Sequence, residues 1–125
     1  MRSLYIIAYF IVAVAVGAIG AGLNMSGVQT WGHLFGAVEI GLLISGAFVF
    51  RLTRVHWLAF LFAYACWRIA GFDYIINLTS GQSLFYVGGH NWWDMFFVKF
   101  PAHGVTFMRC VFLLVGISIP FKYLR

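Results

Sequence analysis

The sequence predicts an all-α integral membrane protein: four transmembrane helices in one bundle, with a short interfacial helix on the outer side between the third and fourth. Three observations predict it. Of 125 residues, 63% are hydrophobic and only 9% charged, with mean hydropathy +0.95, whereas a soluble domain carries about 25% charge. Such a chain cannot hide its apolar surface inside itself, so lipid must solvate most of it. Apolar runs near the roughly 20 residues needed to span a bilayer recur along the sequence. Finally, the basic residues behind the net charge of +5 punctuate the ends of those runs instead of forming a face or stripe. That placement excludes nucleic acid as a partner, which requires a clustered basic surface.

The first span covers about residues 4–23, preceded by Arg2. A signal peptide shows the same basic start and small residues (Ala18, Gly20, Gly22). The run of about 20 residues, with Met1 still at its head, favours a retained span. The second span covers about 33–50 and is closed by Arg51 and Arg54. The third covers about 55–76. The fourth covers about 103–121 and ends at Lys122 and Arg125. Together they make one transmembrane domain over 1–125. Arg2, Arg51, Arg54, Lys122 and Arg125 then share one side, against Lys99 in the loops of the other. The positive-inside bias puts both termini in the cytoplasm of a bacterial-type inner (plasma) membrane.

Between spans three and four, the segment 84–101 is too apolar for a solvated loop, with Leu84, Phe85, Tyr86, Trp92, Trp93, Phe96, Phe97 and Phe100. Residues 91–100 read as a short helix, capped by Asn91, with Asp94 in its first turn and Pro101 as its stop. It is expected to lie in the outer interface as a cover over the bundle.

Small residues every four positions let helix backbones approach closely in lipid. Ala13, Gly17 and Ala21 follow that spacing on span one, and Ala37, Gly41 and Ser45 on span two. Gly32 and Gly36 form a literal GxxxG. Gly17, Gly32, Gly36 and Gly41 are therefore expected at helix contacts, within the bundle or with another chain.

Charges inside apolar spans are costly and require a partner or a role. Glu39, Arg68 and Arg109 each interrupt a span. Counted at 1.5 Å per residue from the outer ends of the runs, all three fall about 8–9 Å below the outer interface. They are expected to form a single buried cluster, with Asp73 as the second carboxylate. The plain role is a structural ion-pair network that fixes helix register. The sharper one is a polar cavity binding an anionic group, to which arginine's planar fork is suited.

His33, His90 and His103 fall on the expected outer side, and with Asp94 they offer imidazole and carboxylate donors for a transition metal. His33 and His103 are also candidates for an axial haem pair. No catalytic motif accompanies them: there is no HExxH, CxxCH, nucleophile elbow or phosphate loop. Three acidic residues in the chain leave little for general acid–base work, so an enzyme is not the expectation, and no cofactor is predicted. The leading expectation is a non-catalytic helical membrane subunit, a structural or assembly component of a larger membrane complex or a homo-oligomer. The alternatives are a small transporter or an ion- or lipid-headgroup-binding protein using Glu39, Arg68 and Arg109, and a haem- or metal-binding redox protein using the outer histidines.

Overall fold

A computed structural model describes residues 1–87 and 92–124, with side chains for all of these except 92–94. Among the described residues the chain is all-helical: α1 Arg2–Met25, α2 Gln29–Val49, α3 Arg54–Ser80, α4 Trp92–Phe97 and α5 Ala102–Tyr123. α1, α2, α3 and α5 are long and apolar enough to cross a membrane.

Turn chemistry sets the helix boundaries. α1 ends in a Schellman turn at Gly27, whose φ of 84° is a left-handed value that glycine adopts without strain. There the Val28 amide donates to the Leu23 carbonyl and the Gly27 amide to that of Asn24. α2 therefore starts four residues before the expected second span. It ends in the same motif: the Leu52 amide donates to Ala47 and the Arg51 amide to Phe48. Arg51 occupies the left-handed position, with φ 46°. Thr53 then caps α3 by accepting from the His56 amide. α3 outruns the expected third span by four residues. Thr79 and Ser80 fold their hydroxyls back onto the carbonyls of Ile75 and Ile76, so these polar residues stay helical until Gly81 stops them at φ 71°.

α1 is the central helix, packing against α2 on one side and α3 on the other, and α3 in turn carries α5. The core lies toward the end bearing Arg51. Ile6, Phe10, Phe60, Ala63 and Tyr64 meet there with Ile119 and Leu124. The Phe10 and Phe60 ring centroids are 4.8 Å apart, and Ser3 donates to the Pro120 carbonyl, tying α1 to α5. α2 is the most peripheral of the long helices. It buries only Gly32, Glu39 and Gly46, one residue per two turns, against the rest of the chain. Tyr9 pins it to α1 by donating to the Leu42 carbonyl at 2.7 Å.

The glycine expectations divide. A Cβ on Gly17 would collide with the Glu39 carboxylate, and one on Gly32 with the Asn24 side chain and the Gly20 carbonyl. Both glycines thus sit at the α1–α2 contact. Gly36 borders the same contact through its backbone, whose amide nitrogen lies close to Gly20, but a Cβ on it would meet nothing within 4 Å. Gly41 lies on the opposite side of α2 from Glu39 and is exposed, and a Cβ there would likewise meet nothing within 4 Å.

At the opposite end, Asn77 is buried and donates to the carbonyls of Leu84 and Tyr86, folding the post-α3 segment back onto the helix. α4 is shorter than the expected 91–100. Its tail tightens into turns, with the Lys99 amide on Phe96 and the Phe100 amide on Phe97, before Pro101 opens α5. Asn91, the expected cap, lies outside the described residues, as do Gly88 and Gly89.

Candidate functional site

Helix geometry sorts Glu39, Arg68, Asp73 and Arg109 into two pairs. Glu39 sits ten residues from either end of α2, about 15 Å along the helix axis. Arg68 is twelve residues from the Ser80 end of α3, about 18 Å. Asp73 and Arg109 are each seven residues from the same end of the molecule, about 10 Å. The expected common level of about 8–9 Å is thus corrected to two levels, roughly 7 Å apart along α3. The error lay in the ends of the runs, since α2 begins earlier and α3 finishes later than hydropathy suggests.

Arg68 and Asp73 are five residues apart on α3, so they point about 140° from each other at 3.6 residues per turn. Arg68 turns toward α2. Its Nε donates to Glu39 Oε1 at 3.0 Å, and its guanidinium lies 3.8 Å over the Phe72 ring. Tyr64, one turn earlier on the same face, donates its hydroxyl to the same carboxylate oxygen. Asp73 turns toward α5, where it accepts from Arg109 Nη2 at 2.5 Å. The Arg109 guanidinium is flanked by the rings of Tyr74, 4.7 Å away, and Phe97, 5.6 Å away.

The two pairs are enclosed in opposite senses. In the first, the carboxylate is sealed and the cation is open: side-chain exposure is 10% for Glu39 and 43% for Arg68. In the second, the cation is sealed, with Arg109 at 3% and Asp73 at 29%. Arg109 Nε is nevertheless buried without a hydrogen-bond partner, beside a cavity of about 230 Å³ walled by Phe85, Phe97 and Phe100.

Arg68 opens into a larger cleft, about 670 Å³, between α2 and α3. It exists because both helices lean on α1 and make little contact with each other. Glu39, Tyr64 and Arg68 form its polar floor, Ile40 and Leu43 an apolar wall, and Asn24 and His33 its upper rim. The Asn24 side-chain oxygen is buried and has no partner. Gly36 and Ala37 border the same space. Such a cleft offers guanidinium donors against a charge that Glu39 already balances, so it suits an acceptor group arriving from outside.

Of the segment expected to cover the charges, Phe97 reaches Arg109. None of the described residues of 84–101 lines the Arg68 cleft. Among the candidate metal or haem ligands, His33 borders the Arg68 cleft and His103 is exposed in the first turn of α5. His90 and the Asp94 side chain lie outside the described residues. No group of three or more His, Cys, Asp or Glu gathers among the described residues.

Two contributors escaped the sequence reading. Tyr64 is four residues before Arg68, a spacing that places both on one helix face and would have flagged it. Asn24 carried no local signal, because its position depends on how closely Gly20 and Gly32 let α1 and α2 approach. Comparison of the chain with protein-family profiles, with curated proteins and with solved structures returns no match.

Proposed function

We propose that the chain is a multi-pass membrane protein serving as a non-catalytic subunit of a larger membrane assembly or homo-oligomer, and that the α2–α3 cleft is where another chain's helix docks. The observation that carries this reading is Arg68, a cation near the middle of a spanning-length helix whose side chain is 43% exposed. A charge at the bilayer centre costs about 2.5–3.5 kcal/mol even on insertion scales. Glu39 balances that charge but engages only the Nε edge of the fork. A helix from another chain, presenting carbonyl, hydroxyl or carboxylate acceptors, would satisfy the remaining donors. Gly36, Ala37 and Gly41 support the same reading, because small residues with unused space allow a helix to approach closely.

In this arrangement the positive-inside bias places both termini and the Arg51–Arg54 turn in the cytoplasm of a bacterial-type inner membrane. Asn24, His33 and α4 then lie toward the outer face. A second reading draws on the volume of the cleft, since about 670 Å³ would also admit the headgroup of a small amphiphile.

Cysteine cross-linking in native membranes separates the two. With Cys66 and Cys110 replaced, Ala37→Cys and Gly41→Cys should each cross-link to a second polypeptide, while Phe107→Cys on the far helix should not. Cross-linking at none of these positions, together with a co-purifying amphiphile lost in Arg68→Leu, would replace the subunit reading with the ligand reading.

A further inference from the structure

We infer that the cavity beside Arg109, between α3 and α5, is a binding site for a neutral, flat ring compound bearing a carbonyl oxygen, the chemistry of a quinone headgroup, with Arg109 donating to that oxygen. This rests on the membrane-spanning reading and not on the subunit reading.

The first observation is a cation that is sealed before its hydrogen bonds are complete. Arg109 is 3% exposed, yet among the described residues it has one acceptor, Asp73, reached through Nη2. Its Nε is buried with no acceptor. Tyr74 and Phe97 stand against the guanidinium. Their ring faces attract its charge but offer no oxygen lone pair to its N–H groups. A buried donor left without an acceptor is costly, and folded proteins keep few of them. Asp73 already supplies the matching negative charge, so what the open donors call for is a neutral acceptor and not a second anion.

The second observation is the space that Arg109 borders. A cavity of about 230 Å³ has the rings of Tyr74, Phe85, Phe97 and Phe100 and the side chain of Val105 in its walls, and Arg109 is part of the same wall. An apolar cavity of about 150 Å³ accommodates benzene, whereas drug-sized ligands occupy sites of about 300 Å³ and more. The space therefore fits one substituted six-membered ring. Water would meet Arg109 but few other polar partners between these rings, and apolar cavities stay dry.

The third observation is that the walls are held by contacts of their own. Asn77 is buried and donates to the carbonyls of Leu84 and Tyr86. That fixes Phe85 between them, edge-on to Tyr74 with centroids 6.1 Å apart. Phe96 packs on both Phe97 and Phe100, at 5.7 Å and 5.2 Å. Phe85 and Phe100 are exposed, which leaves a way in from the surrounding lipid without unfolding a helix. Arg109 lies about 10 Å from the start of α5, a depth that a lipid-soluble ring reaches readily.

The test uses the purified full-length protein in nanodiscs and three probes. Tetramethylbenzoquinone is the ring carbonyl, tetramethylbenzene the same ring without oxygens, and laurate an anionic acceptor. Saturable binding is read by equilibrium dialysis and by thermal melting. Wild type should bind the quinone and melt higher with it. It should bind the hydrocarbon about tenfold more weakly, the worth of one hydrogen bond to a charged donor. Ala102→Phe, at the exposed start of α5 and in the cavity wall, should remove quinone binding and leave melting without ligand unchanged. Arg109→Lys keeps a cation for Asp73 but loses the planar fork, and should bind the quinone about tenfold more weakly. Equal binding of hydrocarbon and quinone would show an apolar cavity only, and tighter binding of laurate an anion site. Either result overturns the inference, as does quinone binding that is not saturable or that Ala102→Phe leaves intact. All of these leave the membrane reading standing. A chain that stays soluble without detergent or lipid overturns that reading instead.

Discussion

Glu39–Arg68 and Asp73–Arg109 use the same two functional groups and share helix α3, yet they are built in opposite senses. At Asp73–Arg109 the cation is wrapped by Tyr74 and Phe97 and almost fully enclosed. At Glu39–Arg68 the carboxylate is enclosed, against Gly17 and under Tyr64, while the guanidinium opens into the α2–α3 cleft. The difference follows from the order of packing. α5 lies directly on α3, so a charge on α5 is covered by its neighbour. α2 lies on α1, so a charge on α3 that reaches toward α2 is covered only on one side. The Asp73–Arg109 pair is largely covered within one chain, whereas the Arg68 guanidinium is left open to the α2–α3 cleft.

Breaking the enclosed pair should have the largest effect. Arg109→Leu takes away Asp73's cation in the most sealed part of the charge system, and a buried pair broken on one side costs about 3–5 kcal/mol. Arg68→Leu should cost clearly less in the isolated chain, because Tyr64 still donates to Glu39 and the lost guanidinium was partly open. Reversible unfolding in detergent micelles measures both. A larger loss for Arg68→Leu than for Arg109→Leu would invert the comparison.

Coupling comes next in size. Glu39→Gln and Arg68→Leu should each destabilise, and the double variant should be milder than the sum, with an interaction energy of about 1–3 kcal/mol. Crossing Arg68→Leu with Asp73→Asn should instead give additive effects within about 0.5 kcal/mol, because those residues serve different pairs. Strong coupling in the second cycle would restore a single four-membered network.

The sequence made part of this legible. Four helices of spanning length and the positions of the charges were readable from hydropathy and spacing, whereas α4 stops at Phe97 and Pro101 opens α5 instead of ending the short helix. Which charges pair was not readable, because pairing depends on helix rotation and on true helix ends. Thr79 and Ser80 lengthen α3 by capping their own carbonyls, and that moved Arg68 from near the end of a span to its middle. Nor can spacing tell a glycine in use from one in reserve. Gly17 and Gly41 look alike in the sequence, yet one accommodates a carboxylate and the other faces open space.

That contrast gives the smallest of the stability predictions. Gly17→Ala should push Glu39 out of place and cost about 1–3 kcal/mol, as overpacking does. Gly41→Ala should change the stability of the isolated chain by no more than about 0.5–1 kcal/mol, in the stabilising direction that replacing a helical glycine gives. Thermal unfolding of both in the same detergent checks the pair, and equal losses would mean that α2 packs differently from the arrangement described.

The subunit reading depends most directly on whether one chain is the working unit. Extraction of the protein with its surrounding bilayer into polymer nanodiscs, followed by native mass measurement, answers this without choosing a detergent. The expected result is a particle containing more than one polypeptide, with Arg68→Leu shifting the distribution toward the 14.1 kDa single chain. Wild type that appears only as a single 14.1 kDa chain in its own lipid, with Arg68 accessible to a guanidinium-selective reagent, would contradict the account.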